Sequence, residues 1–451
     1  MSRYVAAVLV SLVALMSALA LAQTPGTPSV QNLLIFNGVV NGGQPWAAPI
    51  LDQAGNLYGA TSEGGNGNCS EGKWTYGCGT VFKLSPPESG SKQWTETLLY
   101  QFQNSADGNY PAGGLVFDKS GNLYGTTYRG GPSATCGTVF QLTPPASGSG
   151  PWTKNILHNF TCGSDGGFPE SGLVFDKVGN LYGTTTLGGN CNLTFGCAGV
   201  VFELSPPATA GDPWTETVLY AFNAGTDGFE PQSTPLFDAA GNLYGTTILG
   251  GSSAGCGLDE GCGTIFQLTP PSSSGGAWTE KILHTFGTQA GDGWEPRSGL
   301  VFAKPGVFYG VTEGGGDRSL GTVYQLTAPS SSGGNWTVSV LYSFTGVDGL
   351  SPFGAPTLAS NGTIYGLTSF GGSSERGNIF QLTPPVANGD PWTETSLYQF
   401  NSFAYPLGGL TLGKGGWLYG VTLGNISGGL TCATSSTGQN RQCGEVFRVL
   451  P

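Results

Sequence analysis

The chain has 451 residues and a formal charge of −12, from 16 Lys and Arg against 28 Asp and Glu; only 10% of residues are charged, while Gly and Pro number 78 and 29. With 38% apolar and 11% aromatic residues, a chain of this length fills a sizeable core, which excludes a disordered tail despite the Gly and Pro content. So few cations cannot neutralise a run of phosphates, which excludes nucleic acid and anionic membrane surfaces as partners, and two histidines, His158 and His284, are too few for a His-rich metal centre.

Residues 1–22 read as a secretory signal peptide: Arg3, an apolar stretch over residues 5–21, and the small-x-small pattern Ala20-Leu21-Ala22, with cleavage expected after Ala22. The mature chain from residue 23 carries no other apolar run long enough to span a membrane. Ten cysteines in an exported chain imply disulfides.

The remainder is a repeat. A phrase of the type G-N-L-Y-G-T-T recurs with its tyrosine at Tyr58, Tyr124, Tyr182, Tyr244, Tyr309, Tyr365 and Tyr419. A second phrase, G-T-V-F-Q-L-T-P, follows each copy and places an aromatic at Phe82, Phe140, Phe202, Phe266, Tyr324, Phe380 and Phe447. A third, W-T-E-T-V-L-Y-x-F, begins at Trp94, Trp152, Trp214, Trp278, Trp336 and Trp392, and a fourth, G-L-V-F-D, is clearest at residues 115–118 and 173–176. Each is short, β-branched and aromatic, and bounded by Gly, Pro, Ser or Asn, so each unit reads as four strands. The D-x-x-G-N turns at residues 118–122, 176–180 and 238–242 suit a tight connection between first and second strands.

The ends distinguish a ring from an open stack. Residues 33–36 match the fourth-strand phrase without earlier partners, while the chain stops after a third-strand phrase. An N-terminal fourth strand completing the C-terminal blade removes free edges, which predicts one all-β domain over residues 23–451: a seven-bladed β-propeller of four-stranded blades. A β-solenoid, the alternative, gains nothing from complementary ends.

The combination L-Y-G-T-T, G-G, G-T-V-F-x-L-T-P and W-T-E-T-x-L-Y-x-F resembles the choice-of-anchor tandem repeat GloVer-containing proteins of bacteria, over essentially the whole mature chain. The resemblance implies a secreted or surface-held bacterial protein and brings no activity with it. No anchoring segment follows the last repeat, so the expectation is an extracellular or periplasmic monomer, associated with the surface at most non-covalently.

Cys69 and Cys78, Cys191 and Cys197, Cys256 and Cys262, and Cys432 and Cys443 each fall within one loop between second and third strands, which predicts local pairing. Cys136 and Cys162 flank the third and fourth strands of one blade, where antiparallel pairing brings them side by side. Five disulfides and no free thiol follow; zinc is disfavoured because the pairs lie in different blades.

The variable and cysteine-bearing insertions are the loops between second and third strands and between blades, so function is expected on the face they share. The inter-blade loops carry Asp107, Asp165, Asp227, Asp292 and Asp348, with an aromatic near a Pro: Trp46, Tyr110, Phe168, Phe229, Trp294 and Tyr405. Aromatic faces among carboxylates suit sugar rings; the opposing reading is that these aromatics wedge between blades and the Asp residues merely form turns. His158 and His284 stand where other copies have tyrosine and read as packing substitutions. Carboxylates available for catalysis are Glu170, Glu230, Glu295, Glu63 and Glu313. A calcium ion on the Asp-Gly ring is a weaker possibility, since the spacing matches no twelve-residue calcium loop, and no cofactor is expected. The favoured function is an extracellular module binding carbohydrate or a surface polymer; the alternatives are a protein-binding scaffold or adhesin, and a glycan-active hydrolase or lyase.

Overall fold

Each repeat folds as one antiparallel sheet, because its four phrases are apolar runs at strand length separated by turn residues. In the first blade the strands are Ile50–Leu51, Leu57–Thr61, Thr80–Ser85 and Thr95–Gln101, paired in that order. Five further blades follow the same plan, the sixth with its first strand divided into Leu350–Pro352 and Thr357–Leu358, both on Ile364–Phe370. The computed structural model describes residues 28–451 apart from 72–73, 76, 104, 133–135, 149, 193–195, 210, 274, 332, 388, 403 and 427–442. The expected signal peptide lies outside the described residues. Among the described residues there is no α-helix, and no helix is long and apolar enough to cross a membrane.

Two sequence signatures explain the blade core. The glycine of each L-Y-G phrase lies opposite the aromatic of the third strand; a Cβ on Gly59 would stand 2.6 Å from the Phe82 ring, and the same holds at Gly125 with Phe140 and at Gly183 with Phe202. That third-strand ring then meets, edge to face, the aromatic that ends the fourth strand of the preceding blade. Phe102 with Phe140, Phe160 with Phe202, Phe222 with Phe266, Phe286 with Tyr324 and Phe344 with Phe380 have centroids 5.2–5.3 Å apart. Phe400 with Phe447 closes at 5.9 Å. The D-x-x-G-N turns are Asx turns whose aspartate also accepts the tyrosine hydroxyl of the next strand, as Asp118 does from Tyr124 at 3.1 Å.

Closure follows the predicted scheme. Gln31–Ile35 pairs antiparallel with Glu445–Val449, which continues through Leu418–Thr422 to Pro406–Leu412. Phe36 then packs 5.2 Å from Phe82 of the first blade, so the contact between last and first blades repeats the other six. Four disulfides pair as expected: Cys69–Cys78, Cys136–Cys162, Cys191–Cys197 and Cys256–Cys262. Cys443 is also disulfide-bonded; its expected partner Cys432 lies outside the described residues.

Because Phe36 is 1% exposed and makes the same edge contact as Phe160, 2% exposed, Phe36→Ala and Phe160→Ala should each lower stability by roughly 3–5 kcal/mol in denaturant titrations. A cost below about 1 kcal/mol for Phe36→Ala alone would show that ring closure contributes little.

Candidate functional site

The inter-blade loops are organised around a proline, not around the aromatics beside it. Each loop enters its blade through Pro45, Pro111, Pro169, Pro231, Pro296, Pro352 or Pro406, and each ring lies against the glycine that opens the third strand of the preceding blade: Gly444, Gly79, Gly137, Gly199, Gly263, Gly321 and Gly377. A Cβ on any of these glycines would stand 2.4–2.9 Å from the proline ring, and all seven have φ between +85° and +102°. Both constraints demand glycine. The wedge between blades is therefore the Pro-Gly contact.

The residue before each proline is pinned from both sides. The N–H of Tyr110 donates to the Cys78 carbonyl of the preceding blade at 3.2 Å, and its carbonyl accepts from the N–H of Tyr128 in its own blade at 3.0 Å. Gln44, Phe168, Glu230 and Glu295 make the equivalent two bonds. All seven residues before proline, Gln44, Tyr110, Phe168, Glu230, Glu295, Ser351 and Tyr405, have φ between +46° and +58°. Left-handed backbone at seven non-glycine residues stores roughly 1–3 kcal/mol of strain at each, and the two hydrogen bonds to separate blades hold it in place.

With proline and glycine constant, the residue after the proline differs in every repeat. The residue after each proline is Trp46, Ala112, Glu170, Gln232, Arg297, Phe353 and Leu407. The first six of these, from six consecutive blades, line a single cavity of 520 Å³ together with Gln44, Ser62, Glu63, Tyr110, Tyr128 and Arg129. A cavity lined by equivalent positions of six blades lies on the propeller axis. The next residues along, Ala47, Gly113, Ser171, Ser233, Ser298, Gly354 and Gly408, are small because neighbouring segments touch. Thr126 donates to the Ser171 carbonyl at 3.0 Å and Thr246 to that of Ser298 at 3.0 Å, while a Cβ on Gly408 would meet the Trp46 carbonyl.

The cavity wall sets rings among charged and amide groups. Blades 1, 2 and 6 contribute the rings of Trp46, Tyr110, Tyr128 and Phe353 together with Gln44, Ser62, Glu63 and Arg129. Trp46 is 41% exposed, and its indole N–H donates to Ser62 Oγ at 3.1 Å, which fixes the ring. Arg129 lies over the rings of Tyr110 and Tyr128, 5.9 and 5.4 Å from their centroids. Blades 3, 4 and 5 contribute Glu170, Gln232 and Arg297. The Arg297 guanidinium is held by Glu313, through Nε, and by Glu295 at 3.3 Å. Burial, reinforced by the Glu230 charge and only partly offset by Arg297, pushes the Glu170 carboxyl up to about 7. Burial raises Glu230 and Glu295 as well, with Arg297 opposing in both cases.

Of the six aromatics expected at the site, the cavity gathers Trp46 and Tyr110. Phe168 lies with its ring 5.1 Å from that of Tyr128, and Tyr405 sits edge-on to Phe370 at 5.6 Å; neither lines the cavity. Phe229 is 6% exposed and belongs to the core around Tyr182 and Phe266, so it presents no open ring face. Trp294 packs over Gly314 beside Leu300 and Phe308. These six residues occupy three different positions relative to the proline, and only the position after it, and in some blades the one before, faces the axis.

The five aspartates are occupied by donors from their own loops and from the adjoining strands. Asp107 accepts from the Tyr100 hydroxyl at 3.0 Å and from Lys154 at 2.7 Å. Asp227 accepts from Tyr220 at 2.6 Å and from the Asn223 N–H at 2.7 Å, and Asp348 accepts from Tyr342 and from the Thr345 N–H. His158 and His284 take the place of these tyrosines and keep the contact, 3.3 Å to Asp165 and 3.0 Å to Asp292. They are therefore more than packing substitutions. Among the described residues no group of three or more His, Cys, Asp or Glu is placed to hold a metal ion.

Residues 20–258 and 255–448 match the model of the Gloeobacter/Verrucomicrobia repeat. The chain belongs to that family. No curated protein matches its sequence. Among solved structures, a putative 6-phosphogluconolactonase from Bacteroides uniformis is similar at 14% identity and TM-score 0.45, over 84% of this chain and 97% of that one. A polysaccharide lyase of an ulvan lyase family has 10% identity and TM-score 0.45, over 81% and 86% of the two chains. A luciferin-regenerating enzyme has 14% identity and TM-score 0.41, over 94% and 95%. Similarity this low carries no argument about the site of this family member.

Lys154 occupies the position of Glu96, Glu216, Glu280 and Glu394 in other blades, and its contact with Asp107 shows that this position reaches the Asp of the preceding loop. With glutamate there, two carboxyls face each other across the blade interface. Burial and the charges of Asp165, Asp227 and Asp348 push Glu216, Glu280 and Glu394 up to about 7, from 4.5. The folded state thus binds these protons more tightly than the unfolded chain, and the stability they contribute is lost as pH rises through about 7. The melting temperature of the family member should fall between pH 5 and 8, and the triple variant Glu216→Gln, Glu280→Gln, Glu394→Gln should flatten that fall. An unchanged slope in the triple variant would remove these pairs as its cause.

Proposed function

We propose that this protein is an exported saccharide-binding module whose ligand sits in the axial cavity. One observation carries the reading: the residues that vary from repeat to repeat, from Trp46 to Phe353, converge on one cavity that sets aromatic rings among carboxyl, amide and guanidinium groups. Sugars ask for that combination, since their C–H faces stack on rings while their hydroxyls need both donors and acceptors. Arg297 supplies oriented donors, held by Glu295 and Glu313; Gln44 and Gln232 supply amides. The enclosure lies within the size range of ligand cavities. Four disulfides closing loops on a chain with a signal-like start support export.

Trp46 is the sharpest probe, because its ring is substantially exposed and stacking depends on its area. Trp46→Ala should lower retention on insoluble cellulose, chitin and chitosan by about ten-fold or more, equivalent to about 1.4 kcal/mol, while the melting curve stays within a few degrees of the parent. Trp294→Ala should do the reverse, lowering stability with retention unchanged, since that ring packs on Gly314. Wild-type protein retained on none of these glycans would defeat the reading. Retention unaffected by Trp46→Ala would move the ligand out of the cavity.

A further inference from the structure

We infer that the axial cavity takes the end of an uncharged saccharide chain, inserted along the propeller axis and not laid across the face. The inference rests on the saccharide-binding reading and adds the direction of entry and the charge of the ligand.

Direction follows from which residues make the wall. A chain that lies across a protein surface needs a groove open at two ends. Here Trp46, Ala112, Glu170, Gln232, Arg297 and Phe353 come from six consecutive blades of a closed ring, so the wall runs around nearly the whole circumference. Sideways exits between blades are shut one residue further on, where neighbouring segments touch. A Cβ on Gly113 would stand 2.3 Å from the Ser171 carbonyl, one on Gly354 2.1 Å from the Gly409 nitrogen, and one on Gly408 2.4 Å from the Trp46 carbonyl. An elongated ligand therefore enters along the axis, end first. The 520 Å³ of the cavity is of the size that takes a drug-sized ligand, which for a saccharide is a few rings, and the rest of a longer chain stays in solvent. Trp46, 41% exposed and fixed by its bond to Ser62, offers a flat face to the C–H side of a terminal unit.

The charge of the ligand follows from the same wall. Its ionised groups are matched, Glu63 and Glu170 against Arg129 and Arg297. Both cations are already engaged by the protein. Arg297 is held by Glu295 and Glu313, and the Arg129 guanidinium lies over the rings of Tyr110 and Tyr128, 5.9 and 5.4 Å from their centroids. A uronate or sulfated sugar would have to draw Arg297 from two carboxylates, and an amino sugar would bring an ammonium group to carboxylates that are already balanced. Either leaves an unmatched charge withdrawn from water, which costs free energy. A neutral sugar brings no such charge, and its hydroxyls can donate to the carboxylates and accept from the guanidinium and amide groups.

The test pairs binding capacity with ligand charge. Whichever of the insoluble glycans retains the protein is partly hydrolysed with acid and its reducing ends counted. The protein bound at saturation per milligram should rise with those ends; unchanged capacity would overturn end-first entry while leaving saccharide binding intact. Ala112→Trp and, separately, Gln232→Trp, each checked for an unchanged melting curve, should lower retention by about ten-fold or more, because a large side chain from either blade occupies the space of the ligand. Retention unaffected by both variants would overturn the inference too. Isothermal titration calorimetry at about pH 7 then compares β-1,4-linked tetramers of glucose, N-acetylglucosamine, glucosamine and mannuronate. The better of the two neutral tetramers should bind at least about ten-fold tighter than either charged one, with an affinity that holds when sodium chloride is raised from about 0.05 to 0.5 M. Equal or tighter binding of a charged tetramer would overturn the inference, as would binding of no tetramer by a protein that an insoluble glycan retains. Retention on none of the insoluble glycans would remove the saccharide reading itself, and this inference with it.

Discussion

Everything at the axial cavity depends on seven contacts between a proline and a glycine. Each proline ring, entering a new blade, occupies the space a side chain would take on the glycine of the blade before, and that glycine already needs φ near +90°. The glycine carbonyl is also spent, accepting from the aromatic that ends the fourth strand, as Gly79 does from Phe102 at 3.1 Å. One junction thus ties together three strands from two blades. With proline and glycine fixed, the neighbouring residues are held at known positions on the axis whatever their side chains are. Stability is carried by the repeated residues, and chemistry is left to the variable ones.

Disulfides reinforce this arrangement at a specific place. The carbonyl that receives the N–H of the residue before proline belongs to Cys78, Cys136, Cys262 or Cys443 in four of the seven junctions. Each of these cysteines is disulfide-bonded. Cys69–Cys78 and Cys256–Cys262 tie the loop between second and third strands to the residues that open the third strand, and Cys136–Cys162 ties those residues to the segment after the fourth strand. Closing such short loops contributes roughly 2–3 kcal/mol each in the chain-entropy model.

The fold was legible in the sequence because repetition exposes structural residues directly. Tyr58 and its six counterparts, or Phe82 and its counterparts, recur since a packed position must be filled the same way in every blade, and residues 33–36 announced closure by matching a strand that had no partners. The site was harder for the same reason, because what varies carries no motif. Aligning the loops on their aromatics mixed three positions: Trp46 after the proline, Tyr110 before it, and Trp294 two before it. Aligning them on the proline isolates one fully variable column, which contains Arg297, Gln232 and Phe353. The aspartates failed as ligand candidates for a reason also visible in the sequence. Asp107 follows Tyr100, and Asp165 follows His158, at equal spacing, so a donor for each carboxylate travels with it. What spacing cannot show is the convergence of Glu170, Gln232 and Arg297 from different blades, since that depends on how the blades are turned about the axis.

The division between a repeated framework and a variable lining can be tested by comparing thermal melts of two variants in one buffer. One carries Trp46→Ala, Glu170→Ala, Gln232→Ala and Phe353→Ala together; the other carries only Gly199→Val, which would drive a side chain into Pro231. The four lining changes should together cost less than the single change at the junction, because they shorten side chains on the cavity wall without forcing any group into a neighbouring blade. A fourfold variant that melts below Gly199→Val, or a Gly199→Val that melts with the parent, would contradict the account.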